Sequence, residues 1–575
     1  MPPPAQPAAN SPPALQPVRS VMSPLLSVVL PIILAAIGLN LLFARLFPAR
    51  PAEAAPVLRF TDVTAESGLR FTHWQGEGEA PTTLAGAVAV LDFNNDGAPD
   101  LFFVNGAPWP WEESLEKRLG RSSALLRNDG HGHFTDVTAL AGLNGEMQGM
   151  GVVAGDFDND GRTDLFVTCV GLNHLFRNLG EGHFEDVTEQ AGVGGDDNTW
   201  STGAAWIDLD GDGRLDLVVL HYARWPREVG LAQAFTIADI GRYYGAPTGF
   251  FSAFPSVYRN LGDGRFALVP DSVGLRDIDP ETGRPVAQPL AIVPLDANAD
   301  GRLDLLITYH NSPAALFLAQ PDGTFVKQAA APGNRQEGAA ASLASASAPT
   351  DGVDSATELR AQILLRLASV PSRASDDQPL ALAAKLGVAL ADFNLDGRAE
   401  IFSGQGAAEL HLNKFEAGRD FARVPAGLYR KGDGWALATW DAANSWAVPL
   451  TARGIAVADF DGDGDLDVVI AQNHGSPVLL RNDQRLGRPW LRLRLIATRS
   501  QSEAGGARVE VHTPRRVFTQ TVAPAMGFMA QSESTLTFGL GDDARVRKIV
   551  IRWPSDHTQE LRPDALNQTL VIREP

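Results

Sequence analysis

The sequence has a single cysteine, Cys169, so an internal disulfide framework is excluded, and so is any multi-cysteine zinc or iron–sulfur site. It is short of basic charge, with 48 Lys and Arg against 68 Asp and Glu and a net charge of −20. A general nucleic-acid binder would carry a basic footprint, so no nucleic-acid partner is expected. Charged residues make up only 20% and hydrophobic residues 44%, which argues against intrinsic disorder over the chain as a whole. No G-x-S-x-G, H-E-x-x-H or P-loop pattern occurs. What is plentiful is glycine (56) and proline (39), as in a turn-rich β protein. At 575 residues the chain is long enough for several domains or one large repeat array.

The longest uncharged stretch runs from Ser20 to Ala44. About 20 apolar residues cross a bilayer core, so 21–47 reads as a transmembrane anchor. Residues 1–20, with seven prolines, read as a disordered tail, and 48–56 as a stiff linker. Two other readings stay open: a signal peptide cleaved near Ala52-Glu53-Ala54, and a buried core helix. Arg19 lies before the span and Arg45 and Arg50 after it, so the flanking charge does not fix orientation.

One acidic motif recurs six times, at 92–100, 156–164, 208–216, 296–304, 392–400 and 459–467, as D-x-[DN]-x-D-G-x-x-[DE]. Short apolar runs flank each copy, so the unit reads as strand, acidic loop, strand. Oxygen donors at positions 1, 3, 5 and 9, with the carbonyl of position 7, suit a hard cation such as Ca²⁺ better than Mg²⁺. The candidate ligands are Asp92, Asn94, Asp96 and Asp100; Asp156, Asp158, Asp160 and Asp164; and Asp208, Asp210, Asp212 and Asp216. The remaining three loops offer Asp296, Asn298, Asp300 and Asp304; Asp392, Asn394, Asp396 and Glu400; and Asp459, Asp461, Asp463 and Asp467. Up to six Ca²⁺ are therefore expected, held more weakly where Asn stands at position 3 or Glu closes the loop. Asx turns that need no metal are the competing reading.

A second repeat lies between the loops, as LLRNDGHGHFTDVTALAGL at 125–143 and LFRNLGEGHFEDVTEQAGV at 175–193, with weaker copies at 257–269 and 316–327. Each reads as a hairpin. A headless copy at 59–69 and a tailless one, LLRND at 479–483, predict that the N-terminal segment completes the last sheet and closes a ring.

These units resemble FG-GAP repeats, as in the head of integrin α chains. The segment 504–556 resembles an ASPIC/UnbV domain through GARV at 506–509, GFMAQSE at 527–533, FGLG at 538–541 and WPS at 553–555. The combination is that of the cartilage acidic protein-like family. The resemblance implies an all-β chain: a β-propeller over 57–484, with seven blades preferred and six allowed, followed by a small β-sandwich-like domain over 485–575. It also implies calcium in the acidic loops. Only six motifs are visible, and Asp556 replaces the usual Gly after W-P-S.

Two insertions, 223–256 and 328–384, lengthen the repeat. The first is aromatic-rich and could contact a glycan or protein, although packing on its own scaffold is the commoner use of such residues. Within the second, 357–370 has helical spacing. From residue 485 onward 14 basic residues face 9 acidic ones, against a net of −25 for residues 1–484. Ordinary solvated strands explain this, as does electrostatic docking on the acidic propeller or an acidic partner. Cys169 lies in an apolar strand. His131, His133 and His183 fall in hairpin turns, and His221, His310 and His474 follow second strands. The reading that results is a membrane-anchored, extracytoplasmic calcium-binding module for a protein or glycan partner, without catalytic residues. The alternative is a calcium-dependent carbohydrate-active enzyme.

Overall fold

A computed structural model describes residues 57–74, 85–107, 122–225, 251–328, 387–404 and 450–575, apart from 272 (side chain only), 299, 311, 474, 485 and 524–528. It also describes the backbone of the short strands between 234 and 244 and between 426 and 440. The anchor 21–47, the tail, the linker, the helical segment 357–370 and His474 lie outside these residues. Among the described residues no helix is long and apolar enough to cross a membrane.

The acidic loops fall where the apolar runs place them. In every repeat a buried or nearly buried strand leads in and a second leads out, as in Val88–Leu91 and Asp100–Phe103. Hydrophobic residues on both faces suit a strand packed between neighbouring sheets. Each pair continues through a third and fourth antiparallel strand, such as Ala124–Asn128 and Phe134–Asp136. Among the described residues six such four-stranded sheets form, one per acidic loop. A seventh would fall in 329–386, outside the described residues. First strands of consecutive sheets pack together from the fifth to the sixth, on to the first and round to the fourth, giving a propeller-like arrangement.

The sixth sheet takes its outer strand from the N-terminal side. Phe60–Asp62 pairs antiparallel with Val478–Asn482. The headless and tailless repeats thus share one sheet, in which Val478–Asn482 is paired on both sides.

The C-terminal domain has two sheets over its own core of Leu491, Leu493, Val509, Val511, Ile549 and Ile551. The apolar and polar residues alternating through WLRLRLI, ARVEVH and VRKIVIRW suggest an antiparallel domain, but it is not wholly so: Trp490–Ile496 runs parallel to Thr569–Arg573. Alternation reports which face is buried and is blind to strand direction. The domain also lends a strand to the first of the repeat sheets. Ala530–Gln531 pairs parallel with Val88 and Ala89, the innermost strand of the first sheet. The Gln531 amide accepts from the N–H of Ala154 at 2.8 Å and donates to its carbonyl at 3.0 Å, in the second sheet. Ser532 Oγ accepts from Val457 N–H at 3.1 Å, in the sixth. Three sheets are therefore tied at the centre by residues 530–532.

Candidate functional site: six acidic loops and the domain over them

In all six loops the position-6 glycine has φ between 84° and 95°, a left-handed conformation open to glycine at little cost. Its N–H donates to one carboxylate oxygen of position 1, in Asp92, Asp156, Asp208, Asp296, Asp392 and Asp459, at 2.7–3.1 Å. The position-5 N–H donates to the other at 2.9–3.1 Å. Position 5 (Asp96, Asp160, Asp212, Asp300, Asp396, Asp463) accepts the N–H of position 7. The loop is thus wound on its own carboxylates before any ion is considered.

The closing acid does more than the spacing indicates. Asp100, Asp164, Asp216, Asp304, Glu400 and Asp467 are buried and begin the second strand of each sheet. One oxygen accepts the position-2 N–H at 2.8–3.2 Å. In five sheets the other accepts an N–H at the end of the third strand at 2.7–2.8 Å. In the fifth it accepts the Asn394 amide at 2.8 Å. Position 9 therefore ties three strands together as well as facing the loop. Burial pushes Asp100 up to about 8, Asp164 to about 9 and Asp216 to about 7, with the donated N–H groups pulling back.

Four loops bring three carboxylates together, each offering an oxygen within 4.8 Å of the others. They are Asp156, Asp158 and Asp164; Asp208, Asp210 and Asp212; Asp392, Asp396 and Glu400; and Asp459, Asp461 and Asp467. Asp158 Oδ1 is buried without a hydrogen-bond partner. An oxygen-only donor set with an orphaned carboxylate oxygen fits a hard divalent cation. The first and fourth loops do not gather such a trio among the described residues. There Asn94 and Asn298 donate to Asp96 and Asp300 at 2.7 and 2.8 Å, filling one acceptor site of each. Arginines supply further compensation, with Arg177 on Asp158 at 2.5 Å and Arg259 on Asp210 at 3.2 Å.

The asparagine of the R-N pair is a determinant that sequence reasoning missed. Asn128, Asn178, Asn260 and Asn482 are buried. Each donates to the position-8 carbonyl of its own sheet and to the position-2 carbonyl of the preceding loop, namely Phe460, Phe93, Phe157 and Phe393. The signal was the fourfold R-N at the end of the third strand, just before the hairpin. The fourth sheet has Ala319 at this place. Asn178→Ala strips a partner from two buried carbonyls, costing about 1–3 kcal/mol for each unsatisfied group. Denaturant unfolding should show this loss, while the exposed His183→Ala should leave the midpoint unmoved.

The basic excess of the C-terminal domain is aimed at these loops. Arg492 donates to Asp459 at 2.8 Å and pairs with Glu533. Arg494 donates to Asp92 at 2.7 Å, and Arg488 to Asn394 Oδ1 at 2.7 Å. Trp490 lies against Gly464 and Phe518 against Gly397. Between the domain and the first, second and sixth loops is a cavity of about 610 Å³, lined by Asp92, Asp156, Asp459, Arg492, Arg494 and Glu503 among others.

The described candidate histidines do not converge. His131, His133 and His183 sit in hairpins on the loop side. His221 is buried at the other end, between Ser201 and Ser256 at 3.1 and 2.8 Å, and burial lowers it to about 4. His310 contacts the Tyr222 hydroxyl at 2.6 Å. Cys169 is fully buried, which raises its thiol pKa beyond use as a nucleophile.

Comparison with known families matches this architecture at both ends. The profile described as FG-GAP-like repeat fits residues 92–167 and 162–219, and that described as ASPIC and UnbV fits 497–575. The chain joins FG-GAP-like repeats to an ASPIC/UnbV domain. It is similar to cartilage acidic protein 1 of Xenopus tropicalis, 26% identical over 329 residues, 56% of this chain and 41% of that protein. It is also similar to cartilage acidic protein 1 of Mus musculus, 28% identical over 127 residues, 21% of this chain and 19% of that protein. The chain thus resembles the cartilage acidic protein-like family, and it spans 41% and 19% of the length of these two relatives. Among solved structures, an Agrocybe aegerita lectin that recognises non-reducing terminal N-acetylglucosamine aligns with a TM-score of 0.32 and 15% identity, over 70% of this chain and 82% of that one. A likeness that loose has no bearing on ligand choice.

Proposed function

We propose that this chain is a membrane-anchored, extracytoplasmic calcium-binding propeller that holds a protein or glycan partner and performs no catalysis. The observation that carries the reading is the gathering of three carboxylate oxygens within 4.8 Å in four of the repeated loops. Ca²⁺ there would be held by aspartates of one loop, pinning the first hairpin of a sheet and coupling ion binding to folding. Loops of this kind, with weak affinity, work in millimolar calcium, which supports placement outside the cytoplasm. The anchor would be residues 21–47, leaving the sheets on the far side of the membrane.

The ASPIC/UnbV domain lies over the acidic loops. A partner is then left the opposite end of the sheets, where Asp100–Phe103, Asp216–Arg224 and Glu400–Ser403 end. Long connections on a rigid scaffold are common binding elements. The test is to probe glycan arrays and native membrane extracts with the purified full-length chain, in calcium and in EGTA. Retention of a ligand in calcium and its loss in EGTA is expected. Capture indifferent to EGTA, or turnover of a captured glycan, would refute the reading.

A further inference from the structure

The ASPIC/UnbV domain grips three successive loops by the same atom. Oδ2 of the position-1 aspartate accepts Arg492 Nη1 at the sixth loop (2.8 Å), Arg494 Nη1 at the first (2.7 Å) and Ser502 Oγ at the second (2.6 Å). In each case that oxygen also takes the glycine N–H of its own loop. The donor is a guanidinium at two loops and a neutral hydroxyl at the third. Arg492 is almost wholly buried and faces Asp459 and Glu533, and Arg494 is about 29% exposed. Water therefore screens these charges poorly.

We propose that docking of the ASPIC/UnbV domain and loading of the first and sixth loops with a divalent cation oppose one another, because Arg494 and Arg492 supply there the positive charge that the ion would bring. This rests on the reading of the loops as calcium sites and adds their regulation. A guanidinium on the first ligand of a loop repels an incoming ion and withdraws charge from that ligand. Linkage makes the effect reciprocal: the loaded ion weakens the arginine contacts by the same factor. At the second loop the domain brings the neutral Ser502 hydroxyl, with buried Glu503 beside Asp156, so no positive charge from the domain stands on the first ligand there.

The measurement is calorimetric Ca²⁺ titration of the full-length chain at fixed ionic strength, as wild type, R494Q and S502A. R494Q should tighten one class of sites by about tenfold, within the ~5–150-fold range of such couplings, and S502A should leave affinities near wild type. Unchanged or weakened binding in R494Q overturns the proposal. A second measurement needs no variant. Hydrogen exchange of the wild type with and without Ca²⁺ should show faster exchange through Trp490–Ile496 on loading, while the propeller strand Asp467–Gln472 is slowed. Slowing of both segments would mean that docking and loading cooperate, and the proposal falls. If no form takes up Ca²⁺, the calcium reading fails and this linkage with it. Uptake with equal affinity in all three removes the linkage alone.

Discussion

Adding EGTA to the purified full-length chain should lower its melting temperature by on the order of ten degrees. A ligand that binds only the folded state adds about 2.7 kcal/mol at a hundredfold excess over Kd, and several loops would contribute together. The effect should be strongest at alkaline pH, and the sign follows from the buried closing acids. Asp100, Asp164 and Asp216 titrate at about 8, 9 and 7 in the folded chain and at ordinary carboxylate values when unfolded. Between about pH 4 and 9 the folded chain thus binds more protons than the unfolded one. Stability of the metal-free chain falls as pH rises through that window. Calcium requires the deprotonated ligands, so with calcium present the trend reverses. A differential scan at pH 5, 7 and 9, with and without EGTA, checks both arms. Melting indifferent to EGTA at every pH would mean the loops stand on their own hydrogen bonds, as Asx turns do.

The second large effect is expected from Arg492→Ala. Arg492, Asp459 and Glu533 form an ion cluster with side chains 8%, 1% and 10% exposed. Burial pushes both carboxyls up and the guanidinium offsets part of that rise, leaving both raised. Removing the arginine leaves two buried acids facing each other, and breaking such a cluster costs about 3–5 kcal/mol. Urea unfolding at neutral pH in EGTA should show this as a lower midpoint or as separate unfolding of the two domains. The loss should shrink at pH 5, where the orphaned acids can take up protons. A variant as stable as wild type at pH 7 would show that the cluster contributes nothing net to docking.

The sequence made the loops legible because a metal-type loop needs its own carboxylates at fixed offsets, and those offsets are local. The strands followed from the apolar runs on either side. Asn178 was missed for the opposite reason: its partners, Phe93 and Thr163, are 85 and 15 residues away, and nothing local marks the connection. The closing acids were read as ligands only, since a carboxylate that ties three strands has the same sequence signature. Gln531 and Ser532 stood out within GFMAQSE as a family signature. Their work is to bind Ala154 and Val457, residues whose side chains give no hint because only their backbone is used. The charge excess after residue 485 announced docking as one of two readings, but which arginine meets which loop depends on a register between domains.

Residues 530–531 pair with a strand made more than 400 residues earlier. On a ribosome, the six sheets are synthesised before the strand that ties three of them exists. Until then Val88 and Ala89 present free backbone on their inner edge, and Ala154 and Val457 lack the side chains that later bind them. A contact spanning such a length of chain also closes slowly. The inner edge of the first sheet is thus the place where chain order leaves backbone groups waiting longest for their native partner, and the ASPIC/UnbV domain is what covers it.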